Sequence, residues 1–129
     1  MKTLLVAAQD IKWIEFGLIE DGKLVKEVRQ DVPPERYLAA LDQTLKEWKL
    51  AKGDFAAIAV VAGPGAFTSS RVSAVMANAL AFAGNIPVIP IENPKRLPLA
   101  DLAASLPSTR SAYAVPVYDR PPNITNKAA

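Results

Sequence analysis

Two residue types are missing altogether. The 129-residue sequence contains no cysteine and no histidine. Without cysteine there is no disulfide, no thiolate zinc site and no cysteine nucleophile. Without histidine there is no Ser–His–Asp triad and no histidine-ligated metal. Any catalysis would rest on carboxylates, lysine, tyrosine or hydroxyl side chains. Charge of one sign is also scarce: 15 basic residues stand against 13 acidic ones, with no long basic run. A formal charge of +2 does not by itself point to nucleic acid. No window is long and apolar enough to span a bilayer. The apolar start MKTLLVAA lacks the pattern of a signal peptide, because Gln9, Asp10 and Lys12 interrupt it. The expectation is a cytoplasmic protein with no membrane contact.

What is present suits one packed domain: half of the residues are hydrophobic and 22% are charged. The chain is organised around residues 56–82, AAIAVVAGPGAFTSSRVSAVMANALAF. Residues 55–62 form a continuous apolar run with β-branched Ile58, Val60 and Val61, the mark of a strand covered on both faces. Gly63, Pro64 and Gly65 break it. Pro64 presets the first central position of a turn, and Gly65 can take the positive φ that a type II turn needs next. Thr68 or Ser69 is then a suitable N-cap for the helix that follows.

That helix carries no charge between Arg71 and Gly84. At 100° per residue Val72, Val75, Met76, Ala79, Phe82 and Ala83 share one face, which suits a core. The other face is Ser70, Ala74, Ala77 and Ala81, with Arg71 and Asn78 beside it. A helix without charge on its outer face is normally covered, and small residues there would admit a second helix. The alternative is an alanine-rich helix facing water, since alanine is the best helix former. Arg71 sits in the first turn, where the helix dipole does not favour a cation. Either it reaches a carboxylate or carbonyl, or it lies along the surface on its aliphatic stem.

Upstream, residues 3–8 and 13–20 read as strands. Asp21-Gly22 is a two-residue hairpin turn, and residues 23–29 return as a third strand. Pro34 fits the first turn of a helix over residues 35–50, with Leu38, Leu41, Leu45 and Trp48 on one stripe and Tyr37 beside it. Residues 86–91 form a last strand. The order β-β-β-α-β-α-β is that of an α/β, ribonuclease-H-like layer, which is also the core of the actin/Hsp70-type kinase fold. A single lobe over residues 1–92 is expected. Residues 93–129 follow as a short helix near 99–106 and an extended segment at 113–118, packed on the lobe, with a disordered end from Asn123.

GPGAFTSSR resembles the GPGSFTGLR signature of the TsaB (YeaZ) family. ANALAFAGNIPVIPI is similar to that family's helix and next strand, AKGLAFALGIPLVGV. VPVYDRPP at residues 115–122 is similar to the family ending PLYLRPP. Gly63, Pro64, Gly65, Phe67, Thr68 and Arg71 match by type, the first five making a structural loop; Ala66, Ser69, Ser70 and Ser73 replace Ser, Gly, Leu and Gly. Family members carry a second, similarly built half. Here the last strand is followed almost at once by the family-like ending, so the resemblance implies a shortened form without most of the second lobe.

The resemblance implies a non-catalytic subunit. It would bind a TsaD-type catalytic subunit that makes threonylcarbamoyladenosine in tRNAs reading ANN codons, and hold it in an active shape. A TsaE-type ATPase and the threonylcarbamoyl-AMP donor belong to that complex, with no cofactor or metal on this chain. In the family the contact is a bundle of the first two helices of each subunit, here residues 34–50 and 70–82. The expected interface residues are therefore Tyr37, Ser70, Arg71, Ala74, Ala77, Asn78 and Ala81, with a homodimer in the partner's absence. Two alternatives stay open: a self-associating homodimer without that role, and a small ribonuclease-H-like enzyme.

The enzyme reading meets an obstacle in the residues themselves. Asp10 follows the first strand, where both ribonuclease H enzymes and actin-fold kinases place a carboxylate. A nuclease needs several carboxylates converging on two metals. The end of the central strand is Ala62-Gly63, with no acid near, so Asp10 reads as a turn residue. The family shows DTS where this chain has Ala8-Gln9-Asp10. The loop at residues 63–68 precedes a helix N-terminus and could cradle phosphate. It is not a Walker A loop, and a nucleotide cleft in this fold needs a second lobe.

Overall fold

The computed structural model describes residues 1–116. The expected disordered end, and the parts of the extended segment and family-like ending from Val117 on, lie outside the described residues. Strands β1 (Lys2–Ala7), β2 (Ile14–Glu20) and β3 (Lys23–Gln30) form a meander. A 3₁₀ turn, Pro34–Arg36, leads into α1 (Tyr37–Glu47), and a second, Lys52–Asp54, follows it. β4 (Ala57–Gly63), α2 (Phe67–Gly84), β5 (Val88–Glu92) and α3 (Leu99–Ala104) complete the order. The sheet runs β3-β2-β1-β4-β5. β1 pairs antiparallel with β2 and parallel with β4, which pairs parallel with β5. This is the α/β layer that the order of elements predicted.

The meander closes at Asp21 and Gly22, which take φ of 52° and 81°. Both central residues of a type I′ hairpin need positive φ, which aspartate tolerates and glycine accepts freely. β4 is buried at all seven positions, as a central parallel strand should be. Period-two alternation splits β1 between two cores. Leu4 and Val6 join Ile58, Val60, Tyr37, Leu41 and Leu45 on the α1/α2 face. Leu5 and Ala7 join Ala59, Val61, Ile89, Leu99 and Leu102 on the α3 face. The result is three layers: two helices, the sheet, and one short helix.

The structure corrects the sequence reading of α2. Ser70, Ala74, Ala77 and Ala81 are all at most 1% exposed, so they form the face laid on the sheet, not an outer face. Of the six residues expected in the core, Met76 alone is fully buried; Val75 and Phe82 are 59% and 87% exposed. The reason is size. The sheet already supplies large side chains at Leu4, Val6, Ile58 and Val60. A helix of serines and alanines packs close over them, where valine and phenylalanine would overfill the layer.

Three smaller corrections follow from the backbone. α2 begins at Phe67 behind Ala66, without a side-chain cap from Thr68 or Ser69. The positive φ of the glycine loop, 137°, belongs to Gly63 and not to Gly65. In α1 the buried residues are Tyr37, Ala40, Leu41, Thr44 and Leu45, which leaves Leu38 outside at 51% exposure. α2 ends where Asn85 takes the left-handed conformation, and the Asn85 and Ile86 amides donate to the Phe82 and Ala81 carbonyls.

Candidate functional site

The ends of β1 and β5, which flank the end of β4 and its glycine loop, hold amides. Gln9 follows β1 and donates from Nε2 to the Pro64 carbonyl at 2.6 Å and to the Asn93 carbonyl at 2.8 Å. Asn93 donates from Nδ2 to Gln9 Oε1 and to the Leu97 carbonyl, and accepts from the Leu97 amide on Oδ1. The backbone adds Ala66 N–H to the Gln9 carbonyl and Asn93 N–H to the Gly63 carbonyl. The glycine loop is thus clamped from both sides, and the start of α2 with it. The sequence reading singled out neither Gln9 nor Asn93. The Asn93-Pro94 pair is a turn signal, but nothing local links it to Gln9.

Asp10 accepts from the Lys12 amide at 2.8 Å, a turn contact. Among the described residues no group of three or more acidic side chains could hold a metal ion. Tyr37 lies under the start of α2, 1% exposed. Burial pushes its phenol up to about 12, the negative charge of Asp10 adds to the rise, and Ser69 works weakly against it. The Ser69 hydroxyl itself donates to the Ala66 carbonyl, and the Tyr37 hydroxyl has no well-aligned hydrogen-bond partner among the described residues.

The outward side of α1 and α2 looks different. Between them runs a groove of ≈ 500 Å³ whose apolar lining includes Pro34, Leu38, Val72, Val75, Ala79 and Leu80. Glu35 and Lys52 are its charged members. Phe67 and Phe82, 43% and 87% exposed, lie at the two ends of α2. Large apolar side chains this exposed, side by side on two helices, are unusual for a surface that stays in water.

The expected interface residues are therefore divided. Ser70, Ala74, Ala77 and Ala81 are buried against the sheet, and Tyr37, 1% exposed, belongs to the lining of the groove. Asn78 is half-buried and exchanges two hydrogen bonds with the backbone of Ala114. Arg71 is exposed, and no salt bridge to it forms among the described residues. The loop residues Gly63 and Gly65 are buried, whereas Phe67 and Thr68 are exposed. On the outward side of the helix pair the accessible residues are Leu38, Val72, Val75, Ala79 and Phe82. They could have been found by asking which face of α2 was small enough to pack on a sheet.

Sheet order, layers and the clamped glycine loop define a ribonuclease-H-like lobe of the ASKHA type. Thermus thermophilus RuvC bound to a Holliday junction substrate shares the fold, at 15% identity and TM-score 0.50 over 71% of this chain and 64% of that one. YeaZ from Pseudomonas aeruginosa is nearer, with 26% identity and TM-score 0.63 over 71% of this chain and 44% of that one. The family model for TsaD, tRNA N6-adenosine threonylcarbamoyltransferase, matches residues 34–108. The tRNA threonylcarbamoyladenosine biosynthesis protein TsaB of Haemophilus influenzae is 39% identical over 93 residues, 70% of this chain and 39% of that protein. A tRNA N6-adenosine threonylcarbamoyltransferase of Pediococcus pentosaceus is 35% identical over 72 residues, 56% of this chain and 21% of that protein. The chain belongs to the TsaB/YeaZ family, within the fold that the TsaD model also describes. It spans less than half the length of these TsaB, YeaZ and transferase relatives.

Proposed function

We propose that the chain is a non-catalytic partner in tRNA threonylcarbamoyladenosine biosynthesis, and that it docks a TsaD-type subunit in the groove between α1 and α2. One observation carries the reading: the apolar face that the sheet leaves uncovered lies on α2, beside the exposed Leu38 of α1. The occupant follows from kinship. This lobe matches the TsaD model itself, so a TsaD-type subunit has a lobe of the same build with its own pair of helices. Two such pairs can pack as a bundle about a pseudo-two-fold axis. Burying Leu38, Val75 and Phe82 in that bundle would contribute about 1.5–3 kcal/mol for each side chain fully removed from water. A TsaE-type ATPase would join through the TsaD-type subunit, and tRNA would meet the complex elsewhere than on this chain.

The test is co-purification with the TsaD-type subunit of the same host, using the intact chain and Val75→Arg. The intact chain is expected to retain the subunit and the variant to lose it. Equal retention would sink the groove as the contact. A second reading, self-association with no role in tRNA modification, uses the same surface, because an apolar face of this kind can meet its own copy. Sedimentation of the chain alone and with the subunit separates the two: competition between assemblies supports docking, and a dimer that ignores the subunit supports self-association.

A further inference from the structure

Beyond the groove, the outer edge of β5 holds a segment of the chain as a protein holds a peptide. Val88 and Ser111 exchange both backbone hydrogen bonds at 2.8 Å, an isolated antiparallel bridge. Three residues on, Asn78 of α2 takes over the role of a strand. Its Oδ1 accepts from the Ala114 amide at 2.6 Å and its Nδ2 donates to the Ala114 carbonyl at 2.9 Å. Ala114 is 3% exposed and joins the α1/α2 core, while its neighbours Tyr113 and Val115 are 62% and 64% exposed. Backbone is read at two points, and one side chain is read for being small. This is the logic of strand addition to a sheet edge.

We propose that the space between Asn78 and the Val88 edge is a peptide-docking slot for an extended backbone with one small side chain, and that residues 111–116 fill it as a detachable ligand from the same chain. The slot is short by construction. Pro90, the next residue of β5 facing that edge, has no N–H to offer, so pairing stops after Val88. The connection from α3 leaves the segment free to come and go. Ser105, Ser108, Thr109 and Arg110 are exposed, and α3 ends at Ala104 with its own packing on the sheet. Attachment to the chain keeps the local concentration of the segment high, so the slot stays filled although the hold is small. When the segment leaves, the Val88 edge and the Asn78 amide are open to a peptide of the same chemistry from another molecule.

The probe is a labelled heptapeptide with the sequence of residues 110–116, Arg-Ser-Ala-Tyr-Ala-Val-Pro, and the protein is the full chain carrying Ala114→Trp. A tryptophan cannot enter the alanine pocket, so the variant presents an empty slot. It should bind the peptide about tenfold or more tighter than the wild type, whose own segment competes. Adding Asn78→Leu should abolish that gain, and a peptide with tryptophan in the Ala114 place should not bind. Equal binding by wild type and A114W, or binding that survives Asn78→Leu, overturns the proposal. Loss of the global fold in A114W also overturns it, because the segment would then be part of the core. Amide exchange of the wild type gives an independent reading. The Ser111 and Ala114 amides should exchange about tenfold or more faster than those of Ala59 and Val60, the signature of local opening. Exchange at the same rate means the segment leaves only when the domain unfolds, and overturns detachment.

Discussion

Asn93 donates its side-chain amide to Gln9 at 3.0 Å across 84 positions of sequence. The pair joins the end of β1 to the end of β5, with the glycine loop held between them. Every polar atom of the Gln9 amide has a partner, and the Asn93 amide is equally engaged. Removing the Gln9 side chain would leave the Pro64 carbonyl, the Asn93 carbonyl and one Asn93 Nδ2 donor without it. Gln9→Ala should cost about 2–3 kcal/mol, from lost hydrogen bonds and a partly unsatisfied buried amide. The urea midpoint checks it. No shift would mean that the backbone bonds from Ala66 and Asn93 hold the loop alone.

Gly65 should be intolerant of any side chain, for want of space. A Cβ there would stand 2.8 Å from the Gln9 Cα, from the Gln9 carbonyl oxygen and from the Ser70 hydroxyl oxygen. Two of those atoms are backbone in the clamp and cannot move away cheaply. Gly65→Val should cost about 2 kcal/mol or more, with Gly65→Ala already destabilising. Gly22 offers the contrast. Nothing lies within 4 Å of its missing Cβ, but its φ is +81°. Gly22→Ala should therefore cost about 1 kcal/mol from conformation alone. Denaturant midpoints for the three variants separate crowding from backbone preference.

These glycines show where the sequence was readable. Asp21-Gly22 announces its hairpin because turn chemistry is local. The unbroken apolar run before Gly63 announces a buried strand for the same reason. Gly65 was expected to supply the positive φ of the turn, but that φ belongs to Gly63. The true constraint on Gly65 comes from Gln9, far away in sequence. The face of α2 was misread because hydrophobicity ranks valine and phenylalanine above serine and alanine. What decides the face against a sheet of large residues is volume, and Ser70, Ser73, Ala74 and Ala77 win on that measure. Leu38 was misplaced because the buried arc of α1 is centred on Tyr37, Ala40, Leu41, Thr44 and Leu45, which puts Leu38 just past its edge.

The inversion of α2 changes what mutations should do. Ala77 is fully buried against the sheet, so Ala77→Arg should unfold the monomer instead of only blocking a partner. Overpacking and an unpaired buried charge together should cost about 3–5 kcal/mol. Val75, two residues earlier and on the outer face, is 59% exposed, and Val75→Arg should shift stability by less than about 0.5 kcal/mol. Circular dichroism melts of the two variants, side by side, read this directly. A folded Ala77→Arg protein would return the small face to the outside.

Glu15 should make the protein less stable as it ionises. It faces Arg29 across the β2–β3 ladder, and the Arg29 guanidinium lies 3.7 Å from the centre of the Trp13 ring. Burial nevertheless raises the carboxyl above its ordinary value, the attraction of Arg29 offsets part of this, and Glu27 adds to the rise. The folded state therefore binds the proton more tightly than the unfolded chain. The associated stability is present below pH 4.5 and is lost as pH rises through the raised folded value. Glu15→Gln should remove that loss, so its advantage over wild type should be larger at pH 7 than at pH 4. The reverse order in denaturant titrations would show that Arg29 outweighs burial.

Tyr37 sets the alkaline limit by the same sign. Its phenol titrates at about 12 in the folded protein against 10.0 ordinarily, because burial disfavours the phenolate and the Asp10 charge stands nearby. A raised folded value means that stability is intact below pH 10 and declines as pH climbs from there through about 12. Among the described residues Ser69 alone acts on the hydroxyl, and weakly, so deleting it removes the titration at little cost in contacts. Tyr37→Phe should then match the wild type within about 1 kcal/mol at neutral pH. Between pH 10 and 12 it should lose less stability than the wild type does. Lysine and arginine titration contributes equally to both proteins, so the difference between the two curves isolates the phenol. Parallel curves across that interval would place the Tyr37 hydroxyl in contact with water, and the start of α2 would not seal it.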